Sequence, residues 1–163
     1  MATRAEKHPE TETYIYYNAN PRGRVTEDCV ARALSKGLEM PYKDVVMELA
    51  KIQIETGYQG NGLKGIGKLL ENHGWVKHRQ PRRDDGTKYT GNDLATWLSI
   101  NAPNGEYGNV ICSVASHMIC IAPTNHGDGI NCRYKIHDTW NSGYKCIGNF
   151  WTRGDCLVSP EPD

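Results

Sequence analysis

Apolar positions in the first half of the chain recur at three- and four-residue intervals, whereas in the second half they gather into short alternating or continuous runs. Cys29, Val30, Ala33 and Leu34 form the first helical stripe, with Thr26, Glu27 and Asp28 as capping candidates ahead of it and Gly37 as its stop. Pro41 suits an early helical position, and Val45, Val46, Leu49 and Ile52 then line one face as far as Gly57. Ile66, Leu69 and Leu70 predict a third helix ending near Gly74, and Leu94, Trp97 and Leu98 a short fourth. Ahead of them all, Tyr14, Ile15, Tyr16 and Tyr17 read as a short strand. Residues 110–115, 118–122, 132–136 and 144–147 are β-prone runs, Phe150 and Trp151 begin a fifth, and Leu157 and Val158 lie near the end. Helices followed by an antiparallel β-sheet predict one α+β domain over residues 14–163, after a polar, flexible segment 1–13.

Composition supports one domain: 163 residues with 38% hydrophobic side chains suffice for one core. Nineteen basic and 19 acidic side chains cancel, so no long-range field draws in a polyanion or an anionic membrane, and nucleic acid is an unlikely partner. No apolar run approaches the roughly 20 residues that span a bilayer. The start of the chain carries no secretion signal, which predicts a cytoplasmic protein without a membrane partner. A chain of this length has no need of disulfides, so its six cysteines point to a reducing compartment.

The sharpest chemical feature is Cys29 at a helix start, where unpaired backbone amides and the positive end of the helix dipole favour thiolate. His117 precedes the apolar run 118–122, and Asp138 closes the run that begins at Cys132. If those two strands pair as neighbours, the carboxylate holds the imidazole and leaves its other nitrogen free to meet Cys29. Taken singly, each residue has a plainer reading: a packing cysteine, a satisfied histidine and a turn aspartate.

Other constellations are weaker. Cys112, Cys120, His126, Cys132, His137 and Cys146 crowd the second half, but no closely spaced CxxC pair marks a zinc site, so no metal or cofactor is expected; Cys132 and Cys146 are the first to test. Lys77, His78, Arg79, Arg82, Arg83 and Lys88, beside Trp75 and Tyr89, suggest phosphate contacts with base stacking. Asp84 and Asp85 interrupt that cluster, and Pro81 and Gly86 make it read as an exposed loop. Gly57, Gly60, Gly62, Gly65 and Gly67 match no phosphate-binding order.

Together, Asp28-Cys29-Val30, Ser116-His117-Met118 and Asp138-Thr139-Trp140 resemble the papain-like cysteine peptidase superfamily, above all its compact phage and bacterial forms. The resemblance implies a papain-like fold and a Cys29, His117 and Asp138 triad hydrolysing a peptide, isopeptide or amide bond of a peptide or protein substrate. It also implies that Trp140 walls the cleft beside the triad. That superfamily commonly places a glutamine before the nucleophile as an oxyanion donor, and this chain has none there, so Asn18 or Asn20 is the side-chain candidate, with the backbone amide of Cys29 as the second donor. The alternative is a catalytically inactive papain-like protein that binds a protein or nucleic-acid partner.

Overall fold

The computed structural model describes residues 1–125 and 132–154. Its elements, in chain order, are α1 (Arg4–Lys7), β1 (Tyr14–Tyr16), α2 (Cys29–Leu38), α3 (Tyr42–Thr56), α4 (Leu63–Asn72), β2 (Trp75–His78), α5 (Gly91–Asn101), β3 (Val110–Val114), β4 (His117–Asn125), β5 (Cys132–Asp138) and β6 (Ile147–Arg153). The strands form one sheet in the order β1-β5-β4-β3-β6-β2. It is mixed and not wholly antiparallel as expected, because β1 pairs parallel with β5, setting Tyr14 opposite Ile136 and Tyr16 opposite Asp138.

Both faces of this sheet are covered, which explains why the central strands read as continuous apolar runs. Successive side chains on a strand point to opposite faces. Cys112, Ile119, Ile136 and Phe150 accordingly pack with Leu94 and Leu98 of α5. Their neighbours Ile111, Met118 and Trp151 pack with Leu34 of α2 and Ile66 and Leu69 of α4. No helix among the described residues is long and apolar enough to cross a membrane.

Several local expectations change. Gly37 does not end α2, which runs on to a left-handed cap at Glu39. A Cβ on Gly37 would lie 2.4 Å from Cδ1 of Ile111, so this glycine lets the helix settle on β3. Residues 144–147 form no strand of their own. The carbonyls of Gly143 and Lys145 accept the first amides of α5, from Asn92 (2.8 Å) and Gly91 (2.9 Å), which takes that backbone away from the sheet. The strand begins only at Ile147 and includes Phe150 and Trp151. Lys77 and His78, read as loop, belong to the edge strand β2 paired with β6. Beyond them Arg82 bridges Lys88 in a hairpin.

Within residues 1–13, Thr3 caps the single turn of α1, and Lys135 Nζ reaches both Glu10 Oε1 and the Thr11 carbonyl at 2.7 Å. The apolar pair Leu157 and Val158, like His126 and Cys156, lies outside the described residues.

Candidate functional site

The approach to α2 is built from asparagine turns. Asn18 Oδ1 accepts the amide of Asn20 (3.0 Å), Asn20 Oδ1 accepts that of Arg22 (2.9 Å), and Asn18 Nδ2 donates to the Arg24 carbonyl (2.9 Å). Asp28 sits at the N-cap but makes no side-chain capping bond. Its carboxylate is occupied by Arg32 Nη1 on one oxygen, and by the Tyr42 hydroxyl (2.7 Å) and Asn20 Nδ2 (3.1 Å) on the other. The helix thus starts at Cys29 with its first-turn amides uncapped by the Asp28 side chain, the arrangement that favours negative charge.

Antiparallel pairing of β4 with β5, with Cys120 opposite His137, brings the start of one and the end of the other to the same end of the sheet. There His117 Nε2 meets Asp138 Oδ2 at 2.5 Å. Asp138 is only 3% exposed. The Ser142 hydroxyl donates to its Oδ2 (2.8 Å) and the Thr139 amide to its Oδ1 (2.7 Å), while Arg32 Nη2 stands 3.6 Å from Oδ1. With Nε2 so engaged, Nδ1 is the ring nitrogen left for the Cys29 thiol, and each of the two groups shifts the other's titration. The Trp140 ring centre lies 5.1 Å from that of His117 and covers it from one side.

The electrostatics follow from these contacts. Burial opposes the Cys29 thiolate, but hydrogen bonds from His117 and the Met118 backbone, with the positive charges of His117 and Arg32, outweigh it and hold the thiol below its ordinary value. Burial likewise opposes the His117 imidazolium, yet its hydrogen bonds and charge interactions with Asp138 and Cys29 raise it to about 9. His137 behaves oppositely: burial and the Lys36 charge lower it to about 4, and it stays a neutral ring whose Nδ1 donates to the Lys135 carbonyl at 2.9 Å.

Because its folded value lies above the ordinary 6.5, His117 contributes stability that is full below pH 6.5 and lost as pH rises through 9. For His137, whose folded value lies below 6.5, the contribution is present above pH 6.5 and lost as pH falls through 4. In histidine-edited NMR titrations His117 is expected to stay protonated until about pH 9 and His137 neutral until about pH 4; two rings titrating together near 6.5 would contradict this site geometry.

Cys29 and His117 open onto a cleft of about 880 Å³, walled by Val25 and Glu27 ahead of α2, Leu63 at the start of α4, and Trp140. Neither Asn18 nor Asn20 lines it; each directs an amide hydrogen into the turn before α2, and the first-turn backbone amides of that helix are the donors that remain near the thiol. Gln80, which local sequence pattern does not single out, is carried to the cleft by the segment after β2, where Nε2 donates to the Ile147 carbonyl (2.8 Å) and Oε1 accepts from Arg82 (2.7 Å). Arg32 belongs to the site as well. Its sequence signal is the four-residue spacing from Asp28 on one helix face.

The basic stretch splits in the fold. Lys88 lines the cleft and Lys77 lies over the Trp151 ring, while Arg83 pairs with Asp93 at 3.1 Å. Among the described residues no three His, Cys, Asp or Glu side chains group to hold a metal ion. Cys29, Cys112, Cys120, Cys132 and Cys146 are all free thiols; Cys132 Sγ donates to Asn125 Oδ1, and Cys146 sits at the cleft rim.

No protein-family model matches the chain, and neither a curated protein nor a solved structure matches it.

Proposed function

We propose that the chain is a papain-like thiol hydrolase acting on a peptide, isopeptide or amide bond through Cys29, His117 and Asp138. The observation that carries this reading is the His117–Asp138 hydrogen bond beside the Cys29 thiol, at the start of a helix and open to a cleft. The Cys29 thiolate attacks the carbonyl carbon, and the carbonyl oxygen takes up the negative charge beside the first-turn amides of α2. His117 imidazolium gives its proton to the leaving nitrogen, the C–N bond breaks, and a thioester remains on Cys29. Neutral His117 then takes a proton from water as its oxygen attacks the thioester carbon; the C–S bond breaks, the acid is released, and the departing Cys29 thiolate stands again beside the imidazolium. Asp138 holds the ring so that one nitrogen always faces the thiol.

A second reading, a catalytically inactive papain-like protein that binds a partner, is favoured by one observation: Asn18 and Asn20 offer no side-chain oxyanion donor to the cleft. Removing one such donor typically costs on the order of 100- to 1000-fold in rate.

Alkylation by iodoacetamide across pH, read by mass spectrometry, separates the two. Cys29 is expected to react at pH 6 at least about tenfold faster than exposed Cys146, and this advantage to vanish in His117→Ala. Cys112 and Cys120, whose thiols burial pushes up, the latter to about 12, serve as unreactive controls. Cys29 reactivity equal to that of Cys146, or untouched by His117→Ala, would sink the triad.

A further inference from the structure

A second groove, of about 770 Å³, flanks the cleft on the α4 side. Leu63, an apolar side chain left 59% exposed, borders both, so a polypeptide leaving the Cys29 cleft over this residue passes directly into the groove. Lys64 and Lys68 rise from α4 along one edge and Lys77 from β2 along the other. Lys64 Nζ lies 5.5 Å from the Tyr58 ring centre and Lys77 Nζ 5.9 Å from that of Trp151. Among the described residues neither ammonium has a carboxylate partner, and Lys68 only approaches Glu71 at 3.9 Å in an exposed pair that contributes little.

The groove floor adds an independent signal. Helix α4 carries two interior glycines, and they differ in kind. A Cβ on Gly65 would lie 2.6 Å from the Gln59 carbonyl oxygen, so packing demands that glycine. A Cβ on Gly67 would meet nothing within 4 Å, yet glycine weakens a helix interior relative to alanine. Gly67 lines the groove between the lysines, where the missing side chain leaves the helix surface open to another backbone.

We propose that this groove binds an acidic segment of the polypeptide whose scissile bond enters the Cys29 cleft. The inference rests on the hydrolase reading for its substrate and adds the substrate's chemistry: carboxylates placed to meet Lys64 and Lys77, with main chain lying over Gly67. Single-stranded nucleic acid fits less well, because it needs open aromatic faces for stacking. Trp75 and Trp151 are 9% and 2% exposed, and Lys64 and Lys77 lie over the Tyr58 and Trp151 rings.

The test is fluorescence anisotropy on the full chain carrying Cys29→Ala, with a labelled Glu-Gly-Ala peptide, a Lys-Gly-Ala peptide of equal length and an oligo-dT. The Glu peptide should bind at least about tenfold tighter than the Lys peptide and weaken as salt rises. Lys64→Glu with Lys77→Glu should weaken it by about tenfold or more. Gly67→Ala should raise Tm by roughly 2–4 °C while weakening the peptide about fivefold, a combination that a purely structural glycine does not produce. Equal affinity for the two peptides, tighter binding of oligo-dT, or full affinity in Gly67→Ala would overturn the proposal. These readings are taken without the thiol, so their failure leaves the Cys29 alkylation result standing, and failure of the alkylation test leaves the groove's binding intact.

Discussion

Asp138→Ala is expected to cost about 3–5 kcal/mol of folding stability, because it removes one partner from a buried charge network and strands the others. The ring N–H of His117, the Ser142 hydroxyl and the Thr139 amide all lose their acceptor at once, and Arg32 loses its second carboxylate. Urea denaturation gives the loss. Its pH dependence gives the mechanism: without Asp138, the largest influence raising His117, less stability should fall away between pH 6.5 and 9 than in the wild type. The gap between the two proteins therefore narrows across that interval. Iodoacetamide should also lose its selectivity for Cys29 at pH 6. Asp138→Asn keeps one oxygen to accept from His117 and is expected to retain much of that selectivity; equal loss in both variants would show that charge and not orientation is the contribution of Asp138.

Arg32→Met should be comparably severe, at about 3–5 kcal/mol, since Arg32 is 5% exposed and is the cation shared by two carboxylates. Its Nη1 serves Asp28 and the Thr26 carbonyl, and its Nη2 faces Asp138, so one guanidinium ties the entry of the Cys29 helix to the carboxylate bonded to His117. Lysine has a single ammonium in place of the fork, and Arg32→Lys is expected to recover only part of the loss. The chemical readout is separate from stability. The Arg32 charge is one of the influences lowering the Cys29 thiol, so Cys29 in folded Arg32→Met should be alkylated more slowly at pH 6 than in the wild type. An unchanged alkylation profile would confine Arg32 to a packing role.

The helix beginning at Cys29, the helix ending at Gly57 and the apolar strand behind His117 are each marked by signals within a few residues, and the structure carries all three. Asp28 shows where such signals mislead. Its place before a helix suggested a cap, but Tyr42, fourteen residues away, and Arg32 claim its carboxylate. Strand β2 was hidden because Trp75–His78 is four residues long and lies among basic side chains, so neither length nor alternation betrays it. Gln80 reaches the cleft, and Lys77 the second groove, only because β2 pairs with β6.

Residue order by itself determined the helical first half, the β-rich second half, and the positions of Cys29, His117 and Asp138 at element ends, because capping, periodicity and turn chemistry act over a few residues. Tertiary structure alone decided that His117 meets Asp138 and shares a cleft with Cys29, that β1 joins the sheet parallel to β5, and that Arg32 holds Asp28 and Asp138 together. Those outcomes depend on which strand pairs with which and in what register, and that choice is made by burial on both faces of the sheet across the whole chain, not by any local stretch of it.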